Sequence, residues 1–199
     1  MVRRFQAITI GVSMGGVQAL KTLLGRLPAD FPLPLLVVQH ISPEAGNGMA
    51  KLLDDLCAIR VKEADEQDVI LPGTVYLAPP NYHLLVEKAC TLSLSADAPV
   101  SYARPSVDVL FESAAAVYGA GLIAMVLTGA NHDGSRGAQA VKRRGGIVVV
   151  QDPKDAEVRQ MPESALAATD VDHVVPLADM AELLMRLADE PLAEETVDE

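Results

Sequence analysis

The sequence predicts a doubly wound α/β fold: a mainly parallel sheet with helices on both faces and an antiparallel ribbon inserted from about Thr74 to Ser95. Short apolar runs of strand length recur along the 199 residues, several separated by segments of helical period, which is the alternation of βαβ units. Half of the residues are apolar, so a chain of this size buries a substantial core without metals or disulfides.

The first strand is expected at residues 7–12, and Val17, Leu20, Leu24 and Leu27 mark the amphipathic helix that follows it. Residues 33–39 give a second strand, and Met49, Leu52, Leu53 and Leu56 a second helix. The ribbon comes next. Val75-Tyr76-Leu77, Leu84-Leu85-Val86 and Thr91-Leu92-Ser93-Leu94 read as short strands, and Pro79-Pro80-Asn81 as a turn between them. A further strand is expected at 74–78, where the ribbon starts. Val107, Leu110, Phe111 and Ala114 mark the third helix, before a strand at 122–128. A helix beginning near Gly134 carries Lys142-Arg143-Arg144 in its last turn, where cations complement the dipole, and Gly145-Gly146 ends it. Strands at 146–151 and 173–177 and a last helix through Met180, Leu183, Leu184 and Leu187 complete the pattern.

One domain is expected over residues 1–188, followed by an acid-rich stretch, 189–199, with no periodic apolar face, which reads as a solvated tail. The formal charge of −11 argues against a phosphate-backbone ligand, so no nucleic-acid partner is expected. Arg3 and Arg4 precede only a short apolar run that ends in glycines, and no apolar stretch reaches membrane-spanning length. The expectation is a cytoplasmic protein with no membrane insertion. Cys57 and Cys90 have no metal-ligand spacing, and neither a metal nor a cofactor is expected.

The segment Gly11-Val12-Ser13-Met14-Gly15-Gly16 places a serine between glycines at a strand-to-helix junction. A turn that tight projects the hydroxyl above the sheet edge while nearby backbone N–H groups converge, which suits attack on a carbonyl. Parallel sheets bind ligands outside the carboxyl ends of their strands, and three polar residues fall at such ends: Ser13, His40 and Asp133. A hydroxyl, an imidazole and a carboxylate meeting in one crevice would supply nucleophile, base and orienting acid. Taken singly, each has a structural reading: Ser13 as a cap of the following helix, Asp133 as a cap of the helix near Gly134, and His40 as a satisfied loop histidine. His132 and Asp152 are weaker rivals for the base and the acid, and His83 and His173 read as ribbon and strand residues.

Gly11, Ser13 and Gly16 also fall on the spacing of a dinucleotide fingerprint. Ser13 occupies the position where the fingerprint needs a bare backbone, and Asp30 precedes the second strand rather than following it. Those two departures count against a dinucleotide site.

Further segments extend the reading: Val38-Gln39-His40, Val61-Lys62-Glu63-Ala64, Leu71-Pro72-Gly73, Arg104-Pro105-Ser106-Val107-Asp108-Val109-Leu110-Phe111, Leu127-Thr128-Gly129 with Asp133-Gly134, and Met161-Pro162. In order and spacing, from Ile10 to about Pro176, the chain resembles the catalytic domain of the chemotaxis-receptor protein-glutamate methylesterases (CheB type). The resemblance implies a doubly wound α/β fold with a Ser-His-Asp triad at Ser13, His40 and Asp133. It implies hydrolysis of glutamate γ-methyl esters on the methylated cytoplasmic helices of chemoreceptors with release of methanol, and in some members deamidation of glutamine. Backbone amides of Met14 and Ala130 are the expected oxyanion donors. Many members have Thr in place of Met14, Met in place of Ala130 and Gly-Asn in place of Asn131-His132, so altered pocket shape is expected here. Arg104, Arg136 and Arg159 fit either acidic neighbours of a methylation site or ordinary structural roles.

These enzymes usually carry an N-terminal receiver domain, whereas the first strand here starts within a few residues of Met1. The expectation is a stand-alone esterase, with a separate receiver protein as a candidate partner. The alternative of another class is a non-catalytic docking or regulatory module of a chemotaxis-like system.

Overall fold

The structure, a computed structural model, describes residues 5–41 and 48–189. In chain order it contains β1 (Ala7–Val12), α1 (Gly16–Leu24), β2 (Leu35–Gln39), α2 (Gly48–Leu56), β3 (Arg60–Glu63), β4 (Thr74–Leu77), β5 (His83–Val86) and β6 (Leu92–Ser95). The second half adds α3 (Val107–Tyr118), β7 (Leu122–Val126), α4 (Ser135–Arg143), β8 (Ile147–Gln151), α5 (Gln160–Ala168), β9 (His173–Val175) and α6 (Leu177–Asp189).

The main sheet has the order β3-β4-β2-β1-β7-β8-β9, with every pairing parallel. Strands β1, β2 and β7 are buried along their whole length, because helices cover both faces of a parallel sheet. On one face Leu20, Leu23 and Leu24 of α1, Leu53 of α2 and Met180, Leu184 and Leu187 of α6 pack on Ile8, Ile10, Val37 and Met125. On the other, Val107, Leu110, Phe111 and Ala114 of α3, Ala138 and Val141 of α4 and Met161 and Ala165 of α5 pack on Leu36, Val38, Ala124 and Val148. Among the described residues no helix is long and apolar enough to cross a membrane.

The expected mainly parallel sheet, with helices on both faces and a small antiparallel element, is present. Its details differ. Of the expected ribbon, β4 is itself a parallel strand of the main sheet, and the antiparallel hairpin is only β5 and β6, a separate two-stranded sheet. Leu84, Val86 and Leu92 of that hairpin are buried against the α3 face, so the hairpin is held by packing rather than by extending the sheet. Strand β3 and helix α5 lie outside the sequence expectation. Edge strand β3 buries only Val61 fully and so lacks an apolar run, and α5 carries Pro162 in its first turn, where a missing N–H costs nothing. Val17, Leu52 and Leu56, expected on buried helix faces, are exposed. Of the expected acidic tail, Asp189 ends α6 and the rest lies outside the described residues.

The chain leaves β1 towards β2 on one side, while β7 joins β1 on the other. Helices α1 and α4 therefore depart to opposite faces from the ends of β1 and β7, opening a crevice at that switch point.

Candidate active site

Ser13 follows the last residue of β1, and its position is fixed from two sides. Its N–H donates to Thr128 O at 3.0 Å, and its carbonyl accepts from Gly16 N–H at 2.9 Å. Gly15 precedes α1 with φ 79°, a left-handed conformation that glycine adopts without a Cβ penalty. The cap position is Gly15, and among the described residues no N–H of α1 donates to the Ser13 hydroxyl, so the structure does not bear out the reading of Ser13 as a cap.

Because Val12 and Gln39 are register partners, Ser13 and His40 emerge side by side from β1 and β2. His40 N–H donates to Val12 O at 3.0 Å. Gln39 supplies a clasp that sequence reasoning missed: its Nε2 donates to Ser13 O at 2.8 Å and to His40 O at 2.9 Å. The signal was faint, since a glutamine ending an apolar strand shows its role only when the neighbouring strand is in place.

Asp133 lies in the loop between β7 and α4, fully buried, and its Oδ2 is 2.8 Å from His40 Nε2. The same carboxylate accepts Val107 N–H at 2.7 Å, Asp108 N–H at 2.9 Å and the Ser106 hydroxyl at 2.9 Å. A carboxylate on the N-terminus of α3 is favoured by the exposed N–H groups and the helix dipole together. Burial pushes the Asp133 carboxyl up, but the hydrogen bonds from His40, Asp108 and Val107 outweigh it and hold it below the ordinary aspartate range.

Asp133 was read as a potential cap of the helix near Gly134. The structure corrects this, because α4 carries no side-chain cap at Gly134 and its first N–H groups are met by Asp108. Asp108 Oδ1 accepts Gly134 N–H at 2.9 Å and Gly137 N–H at 2.7 Å. The two aspartates thus exchange helices: the one before α4 caps α3, and the one in α3 caps α4. Burial, with the nearby Asp133 charge, raises the Asp108 carboxyl above its ordinary value against the opposing bonds from Gly137 and Gly134 and the Arg136 charge.

With Nε2–H donating to Asp133, His40 keeps its lone pair on Nδ1. That nitrogen accepts from Asn131 Nδ2 at 3.1 Å, and Asn131 Oδ1 accepts Asp133 N–H at 3.0 Å, which fixes the direction of the amide. Asn131 was noted in the sequence only as a departure from family pattern.

Ser13, His40, Asn131, His132, Arg104 and Tyr102 line one cleft of about 500 Å³. His132 is exposed and has no part in the His40–Asp133 pair, while Asp152 caps Lys154 N–H at 2.9 Å. His83 is buried between Ser106 N–H and Ala98 O, a structural role. Arg104 donates to Asn81 Oδ1 and to Ala96 O, Arg136 pairs with Glu112 at 3.2 Å, and Arg159 with Glu163 at 3.5 Å. Each of the three arginines therefore has a partner within the chain.

Met14 and Ala130 are exposed, each next in sequence to a residue of the cleft lining, and among the described residues no acceptor is paired with either N–H. Met14 stands just ahead of α1 rather than in its first turn. Thr128 Oγ1 donates to Met14 O at 2.9 Å. Gly129 N–H donates to Val158 O at 2.9 Å and its carbonyl accepts Met161 N–H at 3.0 Å. A Cβ at Gly129 would run into Met161 Sδ and stand 2.8 Å from Ser13 Cβ. Among the described residues no cluster of His, Cys, Asp and Glu could hold a metal ion.

A doubly wound parallel sheet with a hydroxyl, an imidazole and a buried carboxylate at its switch point defines the class. A sequence profile described as CheB methylesterase matches residues 8–184, and the chain belongs to the CheB methylesterase family. A Leptospira interrogans protein named as a protein-glutamate methylesterase/protein-glutamine glutaminase is 50% identical over 183 residues, covering 92% of this chain and 95% of that one. A Bordetella bronchiseptica protein of the same designation is 42% identical over 187 residues, and there the chain spans about half (53%) of the relative's length. The catalytic domain of the Thermotoga maritima CheB methylesterase superposes with a TM-score of 0.88 at 34% identity, over 92% of this chain and 98% of that one.

Proposed function

We propose that this protein is a protein-glutamate methylesterase acting in the cytoplasm. Residues 1–188 form its catalytic unit, and its substrates are γ-methyl esters on the methylated cytoplasmic helices of chemoreceptors. Deamidation of glutamine at the same site is the second reaction, in line with the double designation of the relatives. The observation that carries the reading is the 2.8 Å contact between His40 Nε2 and a buried Asp133 that is itself held ionised, with Ser13 lining the same cleft.

Ser13 Oγ attacks the ester carbonyl as His40 Nδ1 takes its proton. Asp133 stabilises the resulting imidazolium and keeps the ring oriented. The developing oxyanion is met by the N–H groups of Met14 and Ala130, which no acceptor among the described residues claims. The imidazolium then protonates the departing methoxide, giving methanol and an acyl-enzyme. Water, deprotonated by the same imidazole, releases the glutamate carboxylate and restores Ser13. With a glutamine side chain the leaving group is ammonia.

Methanol release from methylated receptor fragments tests this directly. Wild-type protein is expected to release methanol, and Ser13→Ala and His40→Ala to fall by about 10³-fold or more. Methanol release by Ser13→Ala at the wild-type rate would overturn the reading.

A further inference from the structure

Among the described residues Asn131 is the one side chain that touches the free nitrogen of the His40 ring, and its amide is anchored so that only its N–H side can face that nitrogen. Oδ1 is committed to Asp133 N–H at 3.0 Å, so Nδ2 points at His40 Nδ1, 3.1 Å away. The ring is therefore held between a carboxylate that accepts from Nε2 and an amide that donates to Nδ1. This arrangement fits one protonation state. Neutral imidazole satisfies both contacts, whereas imidazolium would turn an N–H at Nδ1 towards the amide N–H.

We propose that Asn131 is a positioning residue that holds His40 in its neutral form, lowering the ring's affinity for a proton and opposing the pull of Asp133. The consequence for catalysis rests on the reading of His40 as the base. The amide must release Nδ1 as the ring takes the serine proton, so Asn131 keeps the base unprotonated at lower pH at the cost of a bond to be broken in each acyl transfer. Among the described residues the charged or titratable groups around the ring are Asp133 on Nε2, Asp108 behind it, and Arg104, His132 and Tyr102 along the same cleft. Arg104 is held by Asn81 and by backbone carbonyls, which leaves Asp133 and Asn131 as the groups among the described residues in hydrogen-bond contact with His40 side-chain nitrogens.

The test is an NMR titration of the His40 ring in wild type, Asn131→Ala and Asn131→Asp, alongside the pH profile of kcat/KM for methanol release. Removing the amide is expected to raise the ring's midpoint by about 0.5–1 unit, a roughly three- to tenfold gain in proton affinity. Asn131→Asp keeps an acceptor for Asp133 N–H and places a carboxylate on Nδ1, so its midpoint is expected to rise further, by more than about one unit. The acid limb of kcat/KM is expected to move upward with the ring. An unchanged or lowered midpoint in both variants overturns the proposal, and Asn131→Asp alone decides it if Asn131→Ala does not fold. A midpoint that rises while the activity limb stays fixed would uphold the hold on the ring and sink His40 as the base.

Discussion

Asp133 accepts four hydrogen bonds from four different residues, and this is why its substitution is expected to be read in two ways at once. Asp133→Asn presents an amide N–H where two of those donors converge, and it removes the negative charge beside the His40 ring. Methanol release is expected to fall by about 10³–10⁴-fold, and stability by roughly 1–3 kcal/mol. The pH dependence has a definite sign. The folded-state carboxyl lies below the ordinary value of 3.8, so its stabilisation is present above that value and is lost as pH falls through the folded value. Asp108 has the opposite sign: raised in the fold, it favours the folded state at the acid end, and that contribution disappears as pH rises through its folded value. Urea unfolding between pH 2 and pH 5 is expected to show a shallower acid-side loss in Asp133→Asn than in wild type, and an unchanged slope would refute the assignment. At the same scale, Gln39→Ala removes the clasp on two carbonyls and is expected to lower kcat about tenfold while the protein stays folded.

Helices α3 and α4 form the element that presents Asp133, and the seat of α3 on β1 depends on what is absent from that strand. A Cβ at Gly11 would collide with the Val107 side chain at the start of α3, the turn whose N–H groups hold the carboxylate. Gly11→Ala is expected to shift that turn and to cost about 1–3 kcal/mol in denaturant melts, with activity falling in parallel. Wild-type stability and activity in that variant would show that the helix start is not clamped. Much of this element was readable: Val107, Leu110, Phe111 and Ala114 recur at helical spacing and all are buried. What was not readable was which aspartate caps which helix. A capping carboxylate next to a helix start in sequence looks like that helix's own cap, and only the packing of two helices side by side lets Asp133 and Asp108 exchange partners. Gln39 and Asn131 escaped for the same reason, since their bonds cross between strand ends. Ser13 and His40 did not, because each stands at the end of an apolar strand that the sequence displays openly.

At the scale of the whole molecule, a doubly wound sheet of this kind is shared with dinucleotide-binding proteins, and the residues at the switch point count against that use. Ser13 fills the space where a pyrophosphate would approach the backbone, and the residue after β2 is His40, tied to Asp133, rather than a ribose-binding acid. Millimolar dinucleotide is therefore expected to leave the thermal midpoint unchanged, and a rise of several degrees would indicate a nucleotide site. The central claim, that strand ends far apart in sequence bring an activated serine, its base and a buried carboxylate into one crevice, is tested most directly by mass spectrometry after exposure to a fluorophosphonate. The account predicts a single adduct on Ser13, abolished in Ser13→Ala and strongly slowed in His40→Ala. An adduct on another residue, or none on the folded wild-type protein, would contradict it.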